Sequence, residues 1–137
     1  MEPESPEYLF VYGTLLNQSN LPIASFLGQN SKIVSEGSFP GLLYEIGTYP
    51  GAVYIPGSKQ KVHGLILQIS NPTDIFKRLD TYEETGPEFE QPNEFIRKLI
   101  PVQGINAKKY HCWVYLYNHS IDKKILISSG KYYSKPI

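Results

Sequence analysis

The sequence predicts an α+β fold in which short strands curl into a small barrel-like sheet beside a few short helices. Three observations carry that prediction. Runs of β-branched and aromatic residues recur along most of the chain, turn-forming pairs such as Pro40-Gly41 and Pro56-Gly57 punctuate them, and only two segments have helix-like apolar spacing. Eleven glycines, eleven prolines and eleven tyrosines in 137 residues point the same way, to many turns and aromatic-faced strands. This length suits one domain, residues 1–137, with residues 1–7 loosely ordered.

Taken in order, Tyr8-Leu9-Phe10-Val11-Tyr12 is apolar on both faces, as expected of a strand buried on two sides, and it stops at Gly13. Residues 21–27 have helical spacing after Asn20, a cap residue, with Pro22 in the first turn. Residues 32–68 read as a series of short strands cut at Pro40-Gly41, Gly47, Pro50-Gly51 and Pro56-Gly57, of which residues 62–69 are the clearest. Asn71-Pro72-Thr73 opens a second helix whose Ile75, Phe76 and Leu79 make one apolar face, and which carries Asp80, Tyr82 and Glu83 to its end. Residues 84–92 form a surface loop. Residues 95–102 and 110–117 are two longer strands with Gln103-Gly104-Ile105-Asn106 as their turn, and Gly130-Lys131-Tyr132-Tyr133 ends the ordered chain.

Composition narrows the function. Thirteen basic residues balance thirteen acidic ones, so no long-range field favours nucleic acid or an anionic membrane. Tyrosines could serve as stacking platforms for single-stranded nucleic acid, but the basic groove that such binding needs is missing. No apolar run is long enough to span a bilayer. The start of the chain is acidic and proline-rich where a signal peptide would be basic and then apolar, and the single cysteine, Cys112, suits a reducing compartment. A cytoplasmic protein is expected.

The candidate chemistry is carried by few residues. Tyr12-Gly13-Thr14-Leu15 follows a buried strand, and a glycine there lets successive amides turn toward one anion; it also suits a plain strand terminator. Leu79-Asp80-Thr81-Tyr82-Glu83-Glu84 places carboxylates at a helix C-terminus, where the macrodipole disfavours them; read blandly, this is a solvated corner with Asp80 and Glu84 as a surface pair. Arg97 stands on a strand from which it could pair with one of these carboxylates. On the last long strand Trp113, Tyr115 and Tyr117 share a face, with Trp113 read as core and the Tyr115 hydroxyl either core or ligand-orienting. His63, His111 and His119 lack metal spacing, no serine or cysteine nucleophile has a positioned base, and no phosphate or dinucleotide loop occurs.

These pieces occur in a telling order: Tyr12-Gly13-Thr14-Leu15, Gly41-Leu42-Leu43-Tyr44, Gly47-Thr48-Tyr49-Pro50, Val62-His63-Gly64, Leu79-Asp80-Thr81-Tyr82-Glu83, Phe95-Ile96-Arg97, Trp113-Val114-Tyr115 and Ser129-Gly130-Lys131-Tyr132. From Tyr8 to about Tyr133 the chain resembles the γ-glutamylcyclotransferase-like family, which includes the AIG2-like proteins and γ-glutamylamine cyclotransferases. The resemblance implies a small mixed barrel with its cavity at one end. It implies that backbone amides of Tyr12, Gly13, Thr14 and Leu15 hold the glutamyl part of a small γ-glutamyl substrate and that Glu83 is the catalytic carboxylate; the Tyr115 hydroxyl is taken as a further substrate-binding group. The implied reaction is intramolecular: the substrate's α-amino group attacks its own γ-carbonyl, giving 5-oxoproline and a free amine, with no metal or coenzyme required.

Three features depart from the family pattern: Glu84 stands where glycine often follows the glutamate, the loop over residues 84–93 is long, and Tyr132 replaces a common tryptophan. The alternative is a non-catalytic module of the same fold that binds a small metabolite or another protein.

Overall fold

The computed structural model describes residues 5–13 and 22–132. In chain order the elements are β1 (Glu7–Val11), α1 (Pro22–Gln29), β2 (Ser31–Glu45), β3 (Pro50–Tyr54), β4 (Lys61–Ile69), α2 (Pro72–Tyr82), β5 (Phe95–Gly104), β6 (Lys109–Tyr117) and β7 (Ile125–Leu126). Strands β2, β4, β1, β6 and β5 are neighbours in that order, and β5 returns to β2 through Gly37 opposite Gly104 and Ser38 opposite Gln103. A five-stranded closed barrel results. All its pairings are antiparallel except β1 with β6, which makes the barrel mixed.

Alternation along the strands builds two cores on opposite sides of the barrel wall. Phe10, Phe39, Val62, Ile66, Val102, Cys112 and Val114 fill the interior. Leu9, Val11, Leu67 and Ile69 face outward instead and are covered by Leu27 of α1 and by Ile75, Phe76 and Leu79 of α2. Strand β1 is therefore buried on both faces, which is why its five residues carry no polar alternation after Glu7.

Two proline-glycine pairs expected as turns lie inside strands. Strand β2 is one run of fifteen residues that changes partner at Pro40: the pairing with β4 ends at Pro40 opposite Lys61, and the pairing with β3 starts at Gly41 opposite Tyr54. A proline is tolerated at that changeover, and Gly41 is required there because a Cβ would stand 2.1 Å from the Val53 carbonyl oxygen. Pro50 begins β3, the turn falling earlier, where the Ile46 NH donates to the Tyr49 carbonyl at 3.0 Å. The turn between β5 and β6 is likewise displaced, to Ile105–Ala107, because Gln103 and Gly104 are still paired in closing the barrel. The short β7, which pairs with Tyr44 and Glu45 of β2, had no sequence signature. Helix α1, expected over residues 21–27, is described from Pro22 and runs on to Gln29, while the expected cap Asn20 lies outside the described residues.

Candidate active site

The end of α2 sets the site. Leu79 is fully buried, and one turn later the Glu83 NH still donates to the Leu79 carbonyl at 2.9 Å, so Glu83 leaves the helix on the face that packs against the barrel. Glu84 then takes the left-handed conformation (φ 54°) and turns the chain away, with its own side chain exposed. Beyond it the loop is pinned by Asn93, whose Oδ1 accepts from the Gly86 NH at 2.9 Å and whose Nδ2 donates to the Gly86 and Glu90 carbonyls, each at 3.1 Å. A side chain with every polar atom paired inside a loop gives that loop a fixed path.

Glu83 borders a cavity of about 550 Å³ at one end of the barrel, together with Tyr12, Gly13, Tyr49, Glu94 and Tyr115. Burial is the main force on its carboxyl, followed by the charges of Glu94 and Asp80, and together they push its pKa from 4.5 to about 7. The adjacent Glu84 is not among these influences. A carboxyl so tuned takes up and releases protons readily near neutrality.

Gly13 bends away from the end of β1 against Pro50. A Cβ there would lie 2.8 Å from Pro50 Cγ, so any other residue would push Pro50 aside, and both residues line the cavity. Thr14 and Leu15, which the resemblance places in the same turn, lie outside the described residues.

The two tyrosines turn out to be tied into the frame. The Tyr12 hydroxyl donates to the Tyr115 carbonyl at 2.5 Å and accepts from the Ala52 NH at 3.2 Å, joining β1 to β6 and β3. The Tyr115 hydroxyl donates to Asp80 Oδ1 at 2.7 Å. Desolvation raises both phenols well above the usual tyrosine range, so they act as neutral hydrogen-bonding groups.

Asp80 pairs with Arg97, whose guanidinium also lies over the rings of Phe76 and Trp113, 4.5 and 4.6 Å from their centroids. The surface pair Asp80 with Glu84 therefore gives way to a structural one, Asp80 with Arg97. Trp113 packs beside the outer core and its Nε1 donates to Glu7 Oε1 at 2.7 Å.

Sequence reasoning missed Glu94 and gave Tyr49 no role. The Tyr49 hydroxyl donates to Glu94 Oε2 at 2.6 Å on the cavity wall, and burial together with Glu94 pushes that phenol up to about 12. Nothing local distinguishes Glu94 from the loop's Glu88 and Glu90; only its place just before β5 brings it to the cavity. Cys112 is fully buried strand filling, and burial raises its thiol to about 12. Among the described residues no group of three histidine, cysteine or acidic side chains is placed to hold a metal. None of the described helices is long and apolar enough to cross a membrane.

A family model described as "Gamma-glutamyl cyclotransferase, AIG2-like" matches residues 9–134. The chain is 32% identical over 123 residues to the γ-glutamylcyclotransferase family protein YtfP of Escherichia coli K12, covering 89% of this chain and 92% of that protein. Its fold matches the solution structure of ytfP from Escherichia coli with a TM-score of 0.62 at 28% identity, over 91% of this chain and 95% of the other. The crystal structure of an AIG2-like protein from Mus musculus shares the fold at 21% identity, with a TM-score of 0.71 over 97% and 92% of the two chains.

Proposed function

The chain belongs to the γ-glutamyl cyclotransferase, AIG2-like family, and on that premise we propose that it closes the glutamyl unit of a small γ-glutamyl amide into 5-oxoproline, with Glu83 as the proton carrier. The observation that supports this reading best is Glu83 itself, a carboxyl bordering a cavity beside the Gly13 bend and titrating near neutrality.

The chemistry asks little else of the protein. The substrate's α-ammonium gives a proton to the Glu83 carboxylate, and the freed amine attacks the γ-carbonyl carbon of the same molecule. The tetrahedral oxyanion then collapses as Glu83 returns the proton to the departing nitrogen and the bond from carbon to that nitrogen breaks; the ring nitrogen gives its second proton, again by way of the Glu83 carboxylate, to the departing amine, which leaves as an ammonium ion. Nucleophile and electrophile belong to one molecule, so holding a folded conformer supplies most of the positioning. Backbone amides at the Gly13 bend would hold the anionic end and the developing oxyanion. Asp80, Arg97 and Tyr115 fasten the last turn of α2, from which Glu83 leaves. Proton transfer of this kind is typically worth ~10² to 10⁴ in rate.

The test is release of 5-oxoproline from a panel of γ-glutamyl amino acids, γ-glutamylamines, glutathione and γ-glutamyl-ε-lysine, with Glu83→Gln beside the unmodified chain. Product from at least one compound, lost in the variant while its circular dichroism is unchanged, is the expected result. Equal turnover by the variant would end the assignment of Glu83.

A further inference from the structure

We infer that Glu94, held by Tyr49, is a specificity-determining residue of the cavity, selecting γ-glutamyl compounds whose departing amine carries a second positive charge at its far end, as a γ-glutamylated diamine does. The inference rests on the cyclotransferase reading and adds the charge class of the leaving group.

Glu94 is fixed from three sides. It follows the Asn93 clamp, its carbonyl accepts from the Asn118 NH at 2.7 Å, and Tyr49 donates to Oε2 of its carboxylate at 2.6 Å. A single phenol satisfies only part of a carboxylate, which can accept about four hydrogen bonds, so Oε1 keeps its capacity for a ligand. Among the described residues no cation is paired with it. The ion pair among the described residues is Arg97 with Asp80, and the described wall of the cavity carries Glu83, Glu84 and Glu94 with no lysine, arginine or histidine. A carboxylate on the cavity wall with accepting capacity to spare and no basic side chain along the described lining is a place for a ligand ammonium.

The substrate's own charges leave this place open. In the proposed reaction the α-ammonium must meet Glu83, and the α-carboxylate is assigned to backbone amides, so the glutamyl unit has no remaining group for Glu94. The cavity, at about 550 Å³, has room beyond that unit. An added carboxylate on the leaving group would face three like charges, whereas an added ammonium would meet a carboxylate already oriented to receive it.

Three ligands of equal length separate the possibilities: γ-glutamyl-1,4-diaminobutane, γ-glutamylpentylamine and γ-glutamyl-4-aminobutyrate, cationic, neutral and anionic at the far end. Their affinities for Glu83→Gln, which binds without turning over in the proposed mechanism, are measured by titration calorimetry. The cationic ligand is expected to bind about tenfold more tightly than the neutral one, the worth of one charge-assisted hydrogen bond, and the anionic ligand more weakly than either. Adding Glu94→Gln, which still accepts from Tyr49, should erase the cationic advantage and leave the neutral ligand unchanged. Tyr49→Phe should reduce that advantage in part.

Equal affinities, no binding, or a uniform loss on Glu94→Gln would overturn the inference, the last by moving Glu94 to the α-ammonium. 5-Oxoproline release by the unmodified chain reports separately on the reaction. Turnover without the charge order sinks this inference alone; charge order without turnover sinks the cyclotransferase reading and leaves charge selection standing.

Discussion

Arg97 and Asp80 meet fork to fork, Nε to Oδ1 at 2.8 Å and Nη2 to Oδ2 at 3.0 Å, and this pair fastens the last turn of α2 to β5 three residues before Glu83. The two side chains are 22% and 25% exposed, between a surface pair and a buried one, so breaking the contact should cost about 1–3 kcal/mol. Arg97→Ala also empties the slot between Phe76 and Trp113. The expected result is a lower Tm and a fall in kcat larger than any rise in KM, because a loosened helix end misplaces the proton carrier more than it alters binding. Arg97→Lys keeps the charge but lacks the planar fork, and should restore little of either quantity. Full activity in Arg97→Ala would show that α2 holds Glu83 without this anchor.

Glu83 links activity to stability through pH. Its folded pKa, about 7, lies above the ordinary 4.5, so between those values the folded protein holds a proton that the unfolded chain has released. Stability therefore falls as pH rises from about 4.5 to about 7 and changes no further from this cause above it, by at most about 3 kcal/mol. Glu83→Gln cannot ionise and should match the unmodified chain in urea unfolding near pH 4.5 while exceeding it at pH 8. The ionised form is the base, so kcat/KM should climb with pH and level off above about 7. Glu94→Gln removes the largest charge acting on Glu83 and should move that rise to lower pH. Parallel stability curves for Glu83→Gln and the unmodified chain would contradict the pKa assignment.

Glu84 occupies a backbone conformation that suits glycine, with φ 54° just past the helix C-terminus. A side chain in that region costs roughly 1–2 kcal/mol, offset in part by the greater freedom glycine gives the unfolded chain. Glu84→Gly should raise the Tm by about 2–4 °C in calorimetry. A lower Tm would mean that the glutamate side chain makes a compensating contact.

The departure at Glu84 also shows what the sequence could convey. The ordered motifs, the two-sided apolar run of β1 and the alternation in β6 were enough for the barrel and for the helix that leads to Glu83, because burial on a strand face or helix stripe leaves a period in the residues. Pro40-Gly41 misled because a strand that changes partners uses the same residues as a turn. Glu94 was invisible for another reason: its place at the cavity depends on Asn93 and Asn118, a loop contact and a long-range one that no local pattern encodes. Tyr115 was visible but ambiguous, and the structure gives its hydroxyl to Asp80.

Tyr12 offers a last test, because the resemblance gives its backbone amide to the substrate, and in the described structure its hydroxyl bonds to the Tyr115 carbonyl and the Ala52 NH. Tyr12→Phe removes the partner of the Ala52 NH, and a buried polar group left unpaired costs about 1–3 kcal/mol. Its ring remains in the barrel core with Phe10 and Leu43, so the fold should persist. If the side chain acts through the frame, the variant loses stability in urea unfolding, and KM for a γ-glutamyl substrate stays within about twofold, since the backbone at Gly13 remains. If the hydroxyl instead reaches the substrate when it binds, KM rises several-fold beyond what the loss of stability explains, and Tyr12 returns to the binding site as a side chain.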